Sequence, residues 1–134
     1  MIVEKDETMP IRSPDDVVRV RREVRERAVA IGFGLVDQTK IVTAASEIAR
    51  NTVDYGGGGV LKLELVRQGK HRGLRLTFTD EGPGIPNVDQ AMTDGFTTGG
   101  GLGLGLSGAR RLSNEFSIQS APGKGTVVTL ARWK

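Results

Sequence analysis

Glu47 and Asn51 are four residues apart in a stretch with helical periodicity, so both lie on one side of the helix. They flank an apolar stripe formed by Ile41, Ala45 and Ile48, where a ligand resting against the core could meet both side chains. An amide oxygen suits Mg²⁺, which binds few protein groups and keeps phosphate oxygens and waters. The neighbouring carboxylate could accept the proton of an attacking hydroxyl or water. By itself, this pair is more typical of an exposed glutamate and an asparagine near a helix end, both of which are common.

A second candidate is Asp80, which directly follows the alternating strand pattern of residues 74–79 and precedes Gly82 and Gly84. A carboxylate at a strand end can accept a hydrogen bond from the exocyclic amine of adenine, whereas guanine presents a carbonyl there. The glycines would let the backbone approach a base without a Cβ in the way. An ordinary Asp/Gly/Pro turn fits the same residues.

The third candidate is a run of glycine and leucine that opens a predicted helix: Gly99, Gly100, Gly101, Leu102, Gly103, Leu104, Gly105 and Leu106. Successive backbone N–H groups at a helix N-terminus can bind phosphate without side-chain charge. A dinucleotide-binding fingerprint is rejected because no strand precedes the run and too little chain follows it. A flexible loop is the alternative, although the alternating leucines favour a loop anchored to the core.

Composition limits the class of protein. The 134 residues (14.4 kDa) fit one domain, and 37% hydrophobic with 26% charged residues indicate a soluble globular chain. With no Cys and one His, a disulfide framework, a thiolate metal site and a multi-histidine zinc centre are excluded. No apolar run reaches the roughly 20 residues that span a bilayer, and the charged N-terminus is unlike a signal peptide. We expect a cytoplasmic protein that does not bind membranes.

A net charge of +3 raises the question of nucleic acid. The first predicted helix carries five arginines, but acidic residues share it, aromatics are only 4%, and no basic-aromatic interleaving occurs. A solvated face, or an edge that meets an acidic protein partner, explains this helix better than nucleic acid.

The remaining pattern predicts an α/β chain with a single domain over residues 8–134, after a mobile leader at residues 1–7. We expect a short strand at 8–12, a helix after Pro14, a second helix from about Asp37, and a hairpin with its loop at 68–73. A short helix at 88–93, a helix at 104–114 and a closing hairpin (116–120 and 126–132) follow. These elements predict a two-layer sandwich with a mixed, mostly antiparallel sheet and helices on one face.

Taken in chain order, the three segments around Asn51, Asp80 and Gly99–Leu106 resemble the N, G1 and G2 boxes of the GHKL superfamily of ATP-binding proteins. The superfamily is named for gyrase, a heat-shock chaperone, histidine kinases and mismatch-repair ATPases. The resemblance covers the chain from about residue 9 onward, and is greatest to the RsbT-type serine/threonine kinases among small bacterial anti-sigma regulatory factors. It rests on five stretches of sequence, which are Gly32–Gly34 with Asp37-Gln38, Ser46–Asn51, Asp80–Pro86 and Asp94–Gly100.

The resemblance implies the Bergerat ATP-binding fold and a role for each matching residue. Glu47 would be the general base and Asn51 the Mg²⁺ ligand. Asp80 would hold adenine, with Gly84 under the base and Thr126 helping to fix it through water. The run from Gly99 to Gly105 would form a lid over the phosphates, and Gly82, Ile85 and Leu106 would complete the ATP site.

The resemblance also implies partners. The acceptor in such kinases is a Ser or Thr of a STAS-domain antagonist in the stressosome, and phosphorylation releases the kinase to activate a metal-dependent phosphatase. A homodimer is compatible with this reading. The alternative function is an ATP- or ADP-gated anti-sigma factor or other binding switch with little phosphotransfer. One departure is Asp54, which occupies a position where many histidine kinases have a phosphate-contacting Lys. Either Arg50 or the lid amides could compensate.

Overall fold

The structure is a computed structural model that describes residues 1–92 and 102–134, without the side chains of 102–104. Five strands and four helices occur in these residues, in the order β1 (Ile2–Ile11), α1 (Pro14–Ala30), α2 (Leu35–Asp54), β2 (Gly59–Gln68), β3 (His71–Asp80), α3 (Val88–Ala91), α4 (Leu102–Arg111), β4 (Glu115–Ser120) and β5 (Thr126–Trp133).

The strands form one sheet in the order β1-β2-β3-β5-β4, and each neighbouring pair is antiparallel. This confirms the expected α/β sandwich and sharpens it, because the described strands include no parallel pair. The hairpins β2-β3 and β4-β5 follow directly along the chain, and β3 pairs with β5 at the centre of the sheet.

Alternation along the strands explains why one face of the sheet is covered. Leu61, Leu63, Leu76 and Phe78 are buried on the face against which the helices pack. The helices contribute stripes with helical spacing to the same core, including Val17, Val20, Val24 and Ala28 of α1 and Ile41, Ala45, Ile48 and Thr52 of α2. Helix α2 packs against both α1 and β3. Its buried stripe therefore sets the rotation of the helix about its axis and with it the direction in which its remaining residues face.

The first strand differs from the expectation. It begins at Ile2 rather than near Thr8, so most of the supposed mobile leader belongs to β1 and pairs with β2 from Ile2↔Arg67 onward. The ladder is irregular between Val3 and Lys5. The first half of β1 was not predicted because its residues are mostly polar and exposed and do not alternate with apolar ones. Their charges are matched by ion pairs such as Glu4–Arg72 at 3.2 Å. Backbone pairing across strands is a long-range interaction that local composition does not report.

Other boundaries move by a few residues. The second helix begins at Leu35, and the first hairpin loop is shorter than expected because β2 and β3 extend to Gln68 and His71. The helix expected from Leu104 begins at Leu102. Within the described ranges, no helix combines the length and the apolar character needed to cross a membrane.

Candidate functional site

A cavity of about 340 Å³ opens between α2, the short helix α3, the start of α4 and the ends of β3 and β5. Its apolar wall is formed by Ile48, Phe78, Ile85, Ala91, Leu106 and Val128. Its polar groups come from Asn51, Thr52, Tyr55, Asp80, Asn87, Gln90 and Thr126. A mostly apolar cleft with a few polar groups is the usual form of a site for a planar organic ligand.

One end of the cavity is defined by Asp80 and Thr126, which pair across β3 and β5. One carboxylate oxygen of Asp80 accepts a hydrogen bond from the backbone N–H of Gly82 at 2.9 Å. This bond fixes the side chain at the strand end and leaves the second oxygen available to a donor in the cavity. The arrangement suits an exocyclic amine, as the sequence predicted for adenine.

Ser120 links this end of the site to the turn after β3, and sequence reasoning missed it. Its hydroxyl accepts from the backbone N–H of Ile85 at 2.7 Å and donates to the carbonyl of Gly125 at 2.9 Å. A hydroxyl has one proton, so in the 2.8 Å contact between Ser120 Oγ and Thr126 Oγ1 the donor is Thr126. Thr126 therefore offers the cavity an acceptor. No sequence pattern links Ser120 to Ile85, which are 35 positions apart.

Gly84 lines the cavity and has a left-handed φ of +78°. A Cβ there would lie 2.0 Å from the carbonyl oxygen of Ala121. The turn after Asp80 therefore requires glycine at this position for two independent reasons, backbone conformation and close approach to the β4-β5 turn. Gly82 is tight as well, because its Cβ would lie 2.7 Å from the Cα of Gly56.

The other end of the cavity is defined by α2, where Asn51 lines the wall and Glu47 lies one turn earlier. A Cβ built on Gly105 of α4 would lie 3.0 Å from Asn51 Nδ2 and 3.3 Å from Glu47 Oε2. Both functional groups therefore face the same point at the start of α4. Helical spacing predicted that they share a side of α2, and the structure confirms it.

The residues present are compatible with a metal that binds few protein groups. Within residues 1–92 and 102–134, no cluster of three or more His, Cys, Asp or Glu could hold an ion. Asn51 Nδ2, however, is buried without a hydrogen-bond partner among the described residues, beside the Glu47 carboxylate. A buried amide with unused hydrogen-bonding capacity is typical of a ligand site. The Nδ2 group is a donor and would face a ligand oxygen, whereas the side-chain oxygen of Asn51, which also faces Gly105, is the atom that fits Mg²⁺.

Only part of the glycine-leucine run lies within the described residues. Gly99, Gly100 and Gly101 lie outside the described residues, and so do the side chains of Leu102 and Leu104. The backbone from Leu102 onward is helical, so the last four residues of the expected lid, 102–105, form the first turn of α4, which begins two residues before the predicted start. Leu106 is buried and lines the cavity, so the start of α4 is anchored to the core.

The chain is similar in sequence to known proteins. Residues 36–134 match the family described as histidine kinase-, DNA gyrase B-, and HSP90-like ATPase. The chain is 46% identical over 118 residues to the serine/threonine-protein kinase RsbT of Bacillus subtilis, covering 88% of this chain and 89% of that protein. It is 32% identical over 101 residues to an anti-sigma F factor of Bacillus licheniformis, covering 70% and 68% of the two chains.

A solved structure shares the fold. The crystal structure of the RsbU and RsbW domains of a Mycobacterium tuberculosis protein has a TM-score of 0.67 and 22% identity, covering 97% of this chain and 33% of that one. Because the family match covers residues 36–134, the chain belongs to the histidine kinase-, DNA gyrase B- and HSP90-like ATPase family, whose members bind ATP. Within this family, its identity to RsbT places it among the RsbT-type serine/threonine-protein kinases.

Proposed function

We propose that the chain transfers the γ-phosphate of ATP to a Ser or Thr hydroxyl of a STAS-domain antagonist protein in a Mg²⁺-dependent reaction. The observation that carries this proposal is the pairing of Glu47 with Asn51 at one end of a cleft whose other end presents Asp80 and Thr126. On this proposal a single nucleotide spans both ends, with its base at Asp80 and its phosphates at Asn51. Once its acceptor is phosphorylated, the released kinase would bind and activate a metal-dependent phosphatase, as the resemblance to RsbT-type kinases suggests.

Recognition of adenine would depend on Asp80 and Thr126. The free carboxylate oxygen of Asp80 accepts from the exocyclic amine, and the Thr126 hydroxyl accepts from the base or from a bridging water. Ile48, Ile85 and Val128 pack against the faces of the base. Gly82 and Gly84 shape the turn beneath it.

Phosphoryl transfer would depend on Glu47 and Asn51. Asn51 would hold Mg²⁺, which would screen the charge of the phosphates. The acceptor hydroxyl gives its proton to Glu47 as its oxygen bonds to the γ-phosphorus, the bond to the β-γ bridging oxygen breaks, and ADP leaves. Backbone N–H groups of the glycine-leucine run from Gly99 to Gly105 would contact the phosphates. Since such reactions need little covalent chemistry from the protein, most of the rate enhancement comes from positioning and charge.

The test is transfer of label from γ-labelled ATP to purified candidate STAS-domain proteins. We expect label on Ser or Thr with wild-type protein and Mg²⁺, and its loss with Glu47→Ala. Glu26→Ala, which removes an exposed carboxylate from α1, is the matched control and should transfer normally. Transfer by Glu47→Ala at the wild-type rate would contradict the role of Glu47.

A second candidate function is a nucleotide-gated binding switch, favoured by the similarity to anti-sigma F factors. In this case ATP or ADP sets the shape of a surface that holds a partner, with little or no transfer. The same assay separates the two functions, because a switch would bind nucleotide and label no acceptor with either protein.

A further inference from the structure

The cavity assigned to ATP has very little positive charge. None of its described lining residues is Lys or Arg, and Asp80 adds a negative charge. The sequence of residues 93–104 contains no Lys or Arg either. Position 54, where many histidine kinases have a lysine, is an aspartate. A triphosphate remains anionic after one divalent cation has bound, so a cation from another part of the chain is needed at its end.

Arg50 is placed to supply it. It precedes Asn51 on α2, and its guanidinium Nη1 lies 3.6 Å from Glu47 Oε1. Its side chain is 53% exposed, so it is free to move toward a ligand. Between Ile41 and Asp54 the helix has no other Lys or Arg.

Other cations of the described chain are less suitable. Arg110 and Arg111 lie at the C-terminal end of α4, about 12 Å from Leu102 at the helical rise of about 1.5 Å per residue. Lys124 is in the β4-β5 turn, whose Gly123 N–H donates to the carbonyl of Pro83 near the adenine end. Arg132 is bound to Asp37 at 2.6 Å and to the carbonyl of Leu112 at 3.0 Å.

The two oxygens of Glu47 have different surroundings. Oε1 faces Arg50, while Oε2 faces the point at Gly105 that Asn51 also approaches. Arg50, Glu47 and Asn51 therefore form a continuous row on one side of α2. An anion that reaches Asn51 comes within reach of a guanidinium that, in this structure, is paired with the catalytic carboxylate.

We propose that Arg50 binds the γ-phosphate of ATP and replaces the missing cation at position 54. Without nucleotide, its ion pair with Glu47 holds that carboxylate beside Asn51. With ATP bound, the guanidinium exchanges the carboxylate for two phosphate oxygens, a bidentate geometry that suits arginine and not lysine. Glu47 is then free to accept the proton of the acceptor. This inference rests on the proposed function, since it takes the ATP site as given.

The test compares the affinities of ATP and ADP, which differ by the γ-phosphate alone. Calorimetry in the presence of Mg²⁺ would measure both dissociation constants for wild type, Arg50→Gln and Arg50→Lys, with Arg22→Gln as a control for net charge. Arg22 is exposed on α1 and its removal should change neither constant. For Arg50→Gln we expect ATP to bind at least about tenfold more weakly, because two charge-assisted hydrogen bonds are lost, and ADP less than about twofold more weakly. Arg50→Lys should recover part of the loss.

A purely structural role for Arg50 predicts another outcome. If it only positioned Glu47, then Glu47→Gln would abolish the effect, and Arg50→Gln would lower the affinities of ATP and ADP alike. On the present proposal, Glu47→Gln alone keeps the tighter binding of ATP relative to ADP. The double variant Glu47→Gln/Arg50→Gln loses it. Equal changes for ATP and ADP in Arg50→Gln would overturn the inference and leave the proposed function intact. Failure of wild type to bind either nucleotide would remove both.

Discussion

Gly105 of α4 lies directly against Asn51 of α2, and a Cβ at this glycine would come within 3.0 Å of the asparagine Nδ2. The same point is 3.3 Å from the Glu47 carboxylate. The close packing of the two helices at this end of the cleft therefore depends on the absence of a side chain at Gly105. Gly105 belongs to the run that sequence analysis assigned to phosphate binding, and in this structure it faces the residues assigned to the metal and the base.

This contact predicts that Gly105→Ala impairs the site more than the fold. The added methyl group crowds the ends of the Asn51 and Glu47 side chains, which must shift by a few tenths of an ångström, while the gain in helix propensity of up to about 1 kcal/mol offsets the crowding. We expect the affinity for ATP, measured by calorimetry, to fall about tenfold with little change in melting temperature. Gly108→Ala is the matched control, since a Cβ there meets nothing within 4 Å. It should raise stability by about 0.5–1 kcal/mol and leave ATP binding unchanged. Equal affinities in the two variants would refute the importance of the contact.

Replacement of Gly84 by alanine should destabilise the protein. Its φ of +78° disfavours a side chain, and the new Cβ would lie 2.0 Å from the carbonyl oxygen of Ala121. We expect a loss of about 2 kcal/mol or more in the free energy of unfolding, measured with urea. Gly123 has a similar φ of +73° but open space around it, so Gly123→Ala should lose only about 1 kcal/mol. If both variants lost the same amount, the contact with Ala121 would contribute nothing.

Asp80→Asn should weaken the binding of ATP without unfolding the turn. In the wild type, the Gly82 N–H donates to Asp80 Oδ1 at 2.9 Å, and the side-chain oxygen of an asparagine can accept the same hydrogen bond. Its amide group, however, donates where adenine also donates. We expect the dissociation constant of ATP to rise at least tenfold, or about 1.4 kcal/mol. Asp54→Asn, at an exposed position of the same charge, should bind ATP at least as tightly as wild type. Full affinity in Asp80→Asn would argue against its assignment to adenine.

The outer face of the sheet predicts a pH dependence of stability. Glu64 is almost fully buried there, and hydrogen bonds from Arg75 at 2.8 and 3.1 Å, with the charge of the guanidinium, hold the pKa of Glu64 below its usual value. A carboxyl with a lowered folded-state pKa stabilises the fold above its unfolded pKa of 4.5, and the effect is lost as the pH falls through the folded value.

Glu64→Gln should therefore flatten the acid side of the stability profile below about pH 4.5, measured as urea midpoints. At neutral pH it should cost about 1–3 kcal/mol, because Arg75 loses its partner while staying partly solvated. Lys62→Gln removes only an exposed cation 3.8 Å from Glu64 and should change stability by less than about 1 kcal/mol. An unchanged acid slope in Glu64→Gln would contradict the assignment.

Sequence reasoning succeeded where local geometry decides the outcome. Helical spacing placed Glu47 and Asn51 on one side of α2, and the alternating strand before Asp80 placed this carboxylate at a strand end, as observed. It failed at β1, whose polar first half pairs through its backbone with β2, and it began the helix α4 at Leu104, two residues later than the observed start at Leu102. Its assignments of individual site residues to adenine, metal and phosphate stay predictions.

By itself, therefore, the sequence determined the helices and most strands, because periodicity follows from backbone geometry over a few residues. Its motif spacing also identified the three candidate segments around Asn51, Asp80 and Gly99–Leu106 and, through them, the family. Only the tertiary structure decided which distant residues meet. It brought Ser120 to Ile85, Gly105 to Asn51 and Thr126 to Asp80, and no short-range pattern encodes these contacts. They form when the sheet and helices bury a common core, so their positions depend on the packing of the whole chain.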